Sequence, residues 1–542
     1  ADNLMSLKHA SILILVCGLL LLSGLEKIEV NIMEARNFVS AREMVQNGQY
    51  LMTTFNNEPR YEKPPLPTWL TAASGKLFGF DSLYAMRLPV AAITVFLVFV
   101  FYCFSGALGL GQKHALQNAL ILITSFHIFL SGRDNQWDMY THTFMLACIL
   151  FLWKLFQEES NQWKNTLIAG LFFGLSILSK GPVSIYVLFL PFLISYGIVY
   201  RVPVRKKWAY VTSMLITGVV IGVSWYVYVR MNDPETFRMV SSRETANWLS
   251  YRVKPFYYFW SFFLQTGLWA IPSLVGLCYP YLKSRVSDLK AYRFALLWTG
   301  LAFVFLSAVP EKKVRYLVPV LIPLALTTGF YIDYLIKSFN VNMTGWEKKI
   351  VYFISGLIAL IGFAYPVALT IYLKGKIIHY WLWVLPSSVL LAGLAVVIVR
   401  GLLKKNFTKI FYAMITLFTA AVVALFPLSK EFFYNPDYAS SARAHQIEKE
   451  NGVKTYSLSE VAPQFIWDFG KPVPVLQRKG ETLSLPAERK FALIADLDET
   501  ASLPKLFPQY EIRKIYRMDL YSGKSRSGRL TKDYYLLTKT PQ

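Results

Sequence analysis

Residues 88–108 read LPVAAITVFLVFVFYCFSGAL, an unbroken run without one charged side chain. An α-helix rises about 1.5 Å per residue, so a run of about 20 apolar residues matches the hydrocarbon core of a bilayer. Comparable runs recur at roughly 9–25, 117–131, 139–156, 165–179, 183–200, 209–229, 256–278, 292–309, 316–336, 351–373, 380–399 and 410–427, which predicts about thirteen spans. The bulk numbers agree: of 542 residues, 54% are hydrophobic, 16% aromatic and only 16% charged. That composition excludes a set of soluble domains, a disordered chain and a disulfide scaffold. It predicts a polytopic α-helical membrane protein.

The 56 Lys and Arg outnumber the 33 Asp and Glu, giving a formal net charge of +23. In a soluble protein such an excess would suggest nucleic acid. Here the basic residues cluster in alternate short loops: Arg201, Arg205, Lys206 and Lys207; Lys283, Arg285, Lys290 and Arg293; Lys337, Lys348 and Lys349; Arg400, Lys404, Lys405 and Lys409. The positive-inside rule places those loops, and with them the N-terminus, in the cytoplasm. An odd number of spans then puts the C-terminal segment outside. The cysteines, Cys17, Cys103, Cys148 and Cys278, each sit in an apolar block without CxxC spacing, so they indicate neither disulfides nor a metal site. The first span has no small-x-small cleavage site and reads as part of the membrane domain; the residues ahead of Met5 read as an addition to the natural start.

Two pieces lie outside the bilayer. The first outer loop, residues 26–87, contains Ile32–Asn47, where Ile32, Ala35, Val39 and Met44 share one helical face and predict a helix lying along the membrane surface. After a membrane domain of residues 1–430, the tail 431–542 becomes globular in composition. A helical stretch (Tyr438–Asn451) and β-like runs (Val473–Gln477, Phe491–Ala495, Glu511–Leu520, Asp533–Thr538) predict a small α/β domain.

Charges at membrane depth are costly and need a partner or a function. The outward side carries four such groups. Glu34 and Arg36 begin the outer loop, followed by Tyr61-Glu62-Lys63-Pro64-Pro65. Arg133 and Asp134 precede Asp138, which starts a span as an N-cap carboxylate would, with His142 one turn on. That spacing allows a carboxylate–imidazole pair or half of a metal site; two ligands do not make one, so a divalent metal stays open and no cofactor is assigned. Lys180-Gly181-Pro182 is a whole outer turn, and Glu311-Lys312-Lys313-Val314-Arg315-Tyr316 puts three cations where topology disfavours them. The extra-membrane loop at 229–255 adds Arg238, Arg243, Glu244, Arg252 and Lys254 ahead of an aromatic run. Ordinary surface helices, snorkelling lysines and interface belts could supply each feature singly. Together, cations and carboxylates at the mouths of apolar spans suit an anionic head group on a lipid tail. A phosphate-linked sugar asks for little more: phosphate leaves readily, cations stabilise its growing charge, and a carboxylate steers the attacking hydroxyl.

These residues resemble the polyprenyl-phosphate-sugar glycosyltransferases of the GT-C class, above all the aminoarabinose (lipid A) transferase and protein O-mannosyltransferase group. The resemblance rests on Ile32-Met33-Glu34-Ala35-Arg36 with Ala41-Arg42-Glu43-Met44, Tyr61-Glu62-Lys63-Pro64-Pro65-Leu66-Pro67-Thr68-Trp69, Arg87-Leu88-Pro89, Asp138-Met139, Ser179-Lys180-Gly181-Pro182 and Arg315-Tyr316-Leu317-Val318-Pro319. It implies a thirteen-helix membrane domain in a bacterial inner membrane and a periplasmic tail domain. It also implies an undecaprenyl-phosphate-sugar donor and transfer that inverts the anomeric centre. By motif position Glu34 and Asp138 become the catalytic acids, and Lys63, Arg315, Tyr316 and, more weakly, Lys180 the donor-phosphate contacts; Arg36, Tyr61, Glu62, Arg252, Lys254 and His142 are further candidates. One departure stands out: the family's Asp-Glu pair is here Met33-Glu34. A lipid phosphate acceptor, already ionised, tolerates that loss better than a Ser or Thr hydroxyl does, which favours a glycolipid acceptor over a protein. Arg252 and Lys254 stand where relatives often carry His, which weakens the case for a metal. The other class of reading, a transporter or flippase for a lipid-linked anion, predicts internal repeats and midplane charges that the sequence lacks.

Overall fold

The computed structural model describes residues 5–201, 203–341, 343–433, 435–479, 482–523 and 528–540. The residues ahead of Met5 lie outside the described residues. The chain divides into two compact units: Ala1–Leu25, Tyr61–Pro67 and Arg87–Leu428 form the first; Glu26–Arg60, Thr68–Met86 and Ser429–Gln542 form the second. Most of the outer loop and the tail, read above as separate pieces, thus share one unit, while Tyr61–Pro67 of the loop goes with the first.

The helices run in chain order: α1 (Leu7–Leu22), α2 (Ile32–Asn47), α3 (Leu66–Phe78), α4 (Leu83–Ala107), α5 (Gln112–Thr124), α6 (Phe126–Ser131), α7 (Trp137–Gln157), α8 (Gln162–Lys180), α9 (Leu190–Val199), α10 (Val204–Asn232), α11 (Pro234–Ser250), α12 (Ala270–Gly276), α13 (Tyr279–Leu282), α14 (Leu289–Ala308), α15 (Val318–Ser338), α16 (Gly345–Leu373), α17 (Trp381–Leu403) and α18 (Phe407–Leu425). Among the described residues, eight helical segments are long and apolar enough to cross a membrane: α4, α7, α10, α14, Val314–Ser338, Gly345–His379, α17 and Phe407–Phe432. The other five predicted spans also fall on helical structure, but α1 is short and the rest are shorter, broken or less apolar. The run at 117–131 breaks at Ser125, and 183–200 begins with a π-helical turn, Ile185–Phe189. The run at 256–278 is a chain of 3₁₀ turns kinked at Gly267, where φ is 61°, ahead of α12. Residues 229–255, read as a loop, instead hold α11, capped by Asp233 Oδ1 accepting from the Thr236 amide at 3.3 Å.

Within the first unit, α8 packs on α10 through small residues. A Cβ on Gly174 would come within 2.9 Å of the Gly218 carbonyl, and one on Gly218 within 3.1 Å of the Gly170 carbonyl. Gly170 and Gly174 on one helix therefore face Gly218 and Gly222 on the other, the small-xxx-small contact that lets membrane helices approach closely. On its other side α8 meets α7 through hydroxyls: Thr141 Oγ1 donates to the Ser176 carbonyl at 2.9 Å and Ser176 Oγ to the Thr141 carbonyl at 2.8 Å. The carbonyls that α1 leaves unpaired are taken by arginine. Arg133 donates to Leu20, Ser23 and Gly24 at 2.7, 2.7 and 2.8 Å, and Arg87 to Leu25 at 2.8 Å. Arg133 is thus a helix cap in this fold.

In the second unit, α2 occupies the predicted range, but Glu34–Met44 is buried on nearly every side apart from Arg36, not along one face. Val39 joins one core with tail residues such as Phe465, Ile466 and Tyr534; Phe38 and Ala41 join another with Ala72 and Met86. The expected one-faced surface helix is therefore an interior element of its unit, because the tail supplies a second apolar wall. A short hairpin, β1 (Thr54–Phe55) and β2 (Glu58–Pro59), follows α2. The tail holds α19 (Ser429–Phe432), α20 (Ala442–Asn451), β3 (Thr455–Ser457), α21 (Pro463–Phe469), β4 (Arg478–Lys479), β5 (Thr482–Leu483), β6 (Lys490–Ala495), α22 (Leu503–Leu506), β7 (Tyr510–Asp519) and β8 (Thr531–Lys539). Its sheet has the order β3-β6-β8-β7, parallel at β3–β6 and antiparallel elsewhere. The run Val473–Gln477 is not a strand; Val475 makes an isolated bridge to Ser457.

Candidate functional site

The Thr141–Ser176 contact sets the register of two antiparallel helices, and the next turn outward brings Asp138 of α7 against Lys180 of α8. Lys180 Nζ donates to Asp138 Oδ1, and the two side chains are only 9% and 8% exposed. Each sits where its helix favours it: Asp138 in the first turn of α7, at the positive end of the macrodipole, and Lys180 as the last residue of α8, at the negative end. Gly181 ends α8 at φ 77°, ψ −152°, a conformation L side chains rarely adopt. A Cβ there would also lie 3.0 Å from Tyr226 Oη. The Lys-Gly-Pro turn is therefore a device for ending a helix with its lysine aimed back at α7.

Arg315 and Tyr316 sit on one 3₁₀ turn, Val314–Leu317, ahead of α15, whose Pro319 suits a helix start. The Tyr316 ring lies 4.8 Å from Lys180 Nζ, and Arg315 is in electrostatic reach of Asp138. Arg315 Nε is buried without a hydrogen-bond partner. His127 lies against the Arg315 backbone and feels Asp138. The expected Asp138–His142 pair takes another form: Asp138 is bonded to Lys180, while His142 Nδ1 bonds Ser184 Oγ at 2.9 Å.

The Tyr61-Glu62-Lys63 stretch belongs to the same unit and is fastened to α11 residue by residue. Tyr61 Oη donates to Asp233 Oδ2 at 3.0 Å, Arg243 pairs with Glu62, and Lys63 Nζ lies 3.2 Å from Glu244 Oε2. Burial and the Asp233 acceptor push the Tyr61 hydroxyl up to about 12, so it stays a proton donor at neutral pH. Lys63 also lies in electrostatic reach of Lys180. Arg252 and Lys254 are exposed and flank the isolated bridge between Val253 and Glu311. Lys312 is not a free cation: its ammonium donates to the Val309 carbonyl at 2.6 Å and the Lys254 carbonyl at 3.0 Å, and burial lowers its pKa.

One unit thus brings together Lys63, Asp138, Lys180, Arg315 and Tyr316, with His142 beside Asp138. Glu34 and Arg36 lie on α2 in the other unit. Glu34 is buried in the first turn, where Asn31 Oδ1 caps the helix by accepting from the Met33 and Glu34 amides at 2.9 and 3.1 Å. Arg36 leans on Met33 Sδ. Sequence reading named Glu244 only as one charge among several in residues 229–255 and gave it no partner, and it did not single out Asp233 or His127. Asp233 caps, and Glu244 lies on, a helix read as a loop; His127 had no patterned neighbour to mark it. Among the described residues no group of three or more His, Cys, Asp or Glu side chains is arranged to hold a metal ion. Chemically, the cluster is a buried, already neutralised acid–base pair edged by an arginine with an unused N–H and a phenol. Such a site can accept an anion beside Asp138 without leaving a charge uncompensated.

Comparisons with known proteins bear on the fold and on the kind of protein the chain resembles. A family described as dolichyl-phosphate-mannose-protein mannosyltransferase matches residues 62–226. An undecaprenyl phosphate-alpha-4-amino-4-deoxy-L-arabinose arabinosyl transferase of Shewanella sediminis is 24% identical over 305 residues, 54% of this chain and 54% of that protein. An uncharacterized protein of Aquifex aeolicus is 24% identical over 300 residues, 54% of this chain and 58% of its own length. The chain thus spans about half the length of the curated relatives it matches. The solved structure of ArnT from Cupriavidus metallidurans bound to undecaprenyl phosphate superposes with a TM-score of 0.69 at 18% identity, covering 97% of each chain. The chain has the GT-C fold, and the resemblance noted in the sequence is borne out.

Proposed function

We propose that this GT-C membrane protein is a glycosyltransferase that moves a sugar from undecaprenyl-phosphate-sugar to a lipid A-type glycolipid, inverting the anomeric centre. The observation that carries the proposal is the sealed Asp138–Lys180 pair with Arg315 and Tyr316 at its edge and Lys63 in electrostatic reach. Relatives that carry the aminoarabinose transferase name support the substrate class. In this reading Arg315, Tyr316, Lys63 and Lys180 hold the donor phosphate and stabilise the charge that grows on it as the sugar–phosphate bond breaks. Asp138 and Glu34 orient the acceptor. An acceptor phosphate, ionised at neutral pH, attacks the anomeric carbon without needing a strong base, consistent with Met33 in place of an acid. The site faces the periplasm of the bacterial inner membrane, with the N-terminus cytoplasmic and the tail domain periplasmic. No step in this reading calls on a metal, and a divalent ion stays open to the test below.

The test is transfer of labelled aminoarabinose from its undecaprenyl phosphate to lipid A by purified protein in liposomes, with and without EDTA. Transfer is expected in both, and Glu34→Ala, Asp138→Ala and Lys63→Ala should each abolish it in folded protein. Wild-type rates in all three would remove the site. Label appearing on Ser or Thr of an added protein, and not on lipid A, would move the proposal to protein O-glycosylation, the activity named by the matching family. Movement of donor lipid across the bilayer with no transfer would replace it by a flippase.

A further inference from the structure

Of the motifs quoted above, Ala41-Arg42-Glu43-Met44 has no part in the proposed chemistry. Arg42 lies two turns beyond Glu34 on α2, about 12 Å along the axis. Its guanidinium is buried, which is costly for a charge unless it is well paired. The pairing comes from the tail: Arg42 Nη2 donates to the Ile466 carbonyl at 2.8 Å and Nη1 to the Trp467 carbonyl at 3.1 Å. Both carbonyls belong to the last turn of α21, at the partially negative end of the helix, and the Trp467 carbonyl also accepts from the Gly470 amide at 3.2 Å. The Trp467 ring centroid is 5.2 Å from the guanidinium carbon and 5.0 Å from the Phe38 ring. Burial lowers the Arg42 pKa to about 10, which leaves it charged at neutral pH. Glu43, the next residue, accepts from Thr54 Oγ1 at 2.6 Å and from the Asn57 amide at 3.2 Å. That fixes the hairpin whose Asn56 exchanges two hydrogen bonds with the Val473 backbone, at 2.7 and 2.8 Å. Consecutive residues of α2 therefore tie it to the tail at two points.

We infer that the tail domain is a brace for the helix that carries Glu34, with Arg42 as the positioning residue through which it acts. The inference rests on the role given to Glu34 under the proposed function. It explains why a membrane enzyme with its charges at the helix mouths keeps a globular tail that supplies no recognised motif.

The test compares full-length wild type, Arg42→Ala and Arg42→Lys in detergent by hydrogen–deuterium exchange and by steady-state transfer. Exchange at the α2 amides from Phe38 to Met44 should rise about tenfold or more in Arg42→Ala while α7, α8 and α15 are unchanged. The kcat should fall about 10- to 100-fold with donor KM held within about twofold, because a misplaced group loses rate before it loses binding. Arg42→Lys, which reaches one carbonyl, should fall between. Unchanged exchange would overturn the brace, as would faster exchange throughout the protein. Loosened α2 amides with wild-type kcat would overturn the positioning role. Absence of any transfer by the wild type would instead defeat the proposed function, and the exchange data would still decide the brace.

Discussion

The sealed pair at the centre of the site sets the clearest energetic expectation. In Lys180→Met, the Asp138 carboxylate keeps its 8% exposure but loses its direct partner, leaving Arg315 as the nearest compensating charge. Removing one member of a buried pair costs about 3–5 kcal/mol. Arg315 offsets part of that, so the loss should be about 3 kcal/mol. Asp138→Asn strands the ammonium beside Arg315 and Lys63, with the Tyr316 ring as its remaining contact, and should cost about as much. The double variant Asp138→Asn/Lys180→Met removes both charges and keeps the volume, so it should be more stable than either single variant, with a coupling of about 2–3 kcal/mol. Reversible unfolding in mixed micelles measures the three against wild type, and the transfer assay is expected to find all three inactive. Single effects that add to within about 0.5 kcal/mol would refute the reasoning, because independent sites behave that way.

Gly181→Ala should cost about 1–2 kcal/mol through its left-handed φ and the crowding of Tyr226, and should lower transfer by swinging Lys180; an active variant as stable as wild type would contradict the turn's role. Arg315→Lys should raise donor KM about tenfold, because an ammonium cannot grip phosphate with two parallel N–H groups, whereas Lys312→Met should alter stability more than KM. The reverse order of KM effects counts against the phosphate assignment. In the tail, burial alone would raise the Asp533 pKa, but Arg517 at 2.8 Å and Lys514 at 2.7 Å hold it below the usual carboxylate range. A carboxyl that is more acidic folded than unfolded gives stability above its unfolded value of about 4, lost as pH falls through the folded one. Thermal melts of the full-length protein should therefore show a decline on acidification that Asp533→Asn flattens, with a loss on the order of 1–2 kcal/mol at neutral pH given the half-exposed partners.

The spans were legible in the sequence because a bilayer imposes a length and forbids charge, and 88–108 satisfies both across its whole extent. At 256–278 the same rule says less: apolarity persists, but Gly267 and the 3₁₀ turns break the axis, and no hydropathy average records backbone direction. Asp138, Lys180 and Arg315 were legible as charges in the wrong place. Their pairings were not, since Asp138 meets Lys180 only because Thr141 and Ser176 fix the helix register. The helix Ile32–Asn47 was found by its period, yet Ile32, Ala35, Val39 and Met44 describe one face, and nothing local signals that Arg42 and Glu43 opposite would be buried by residues of the tail.

That burial has a consequence for biosynthesis. Arg42 and its Trp467 acceptor are 425 residues apart. At about 5–20 residues per second, a ribosome that has finished α2 needs roughly 20 to 85 seconds more before its partner is made. For that interval the nascent chain carries a helix whose guanidinium has only water for a partner and whose apolar flank is uncovered, while the intervening membrane segments are still being inserted.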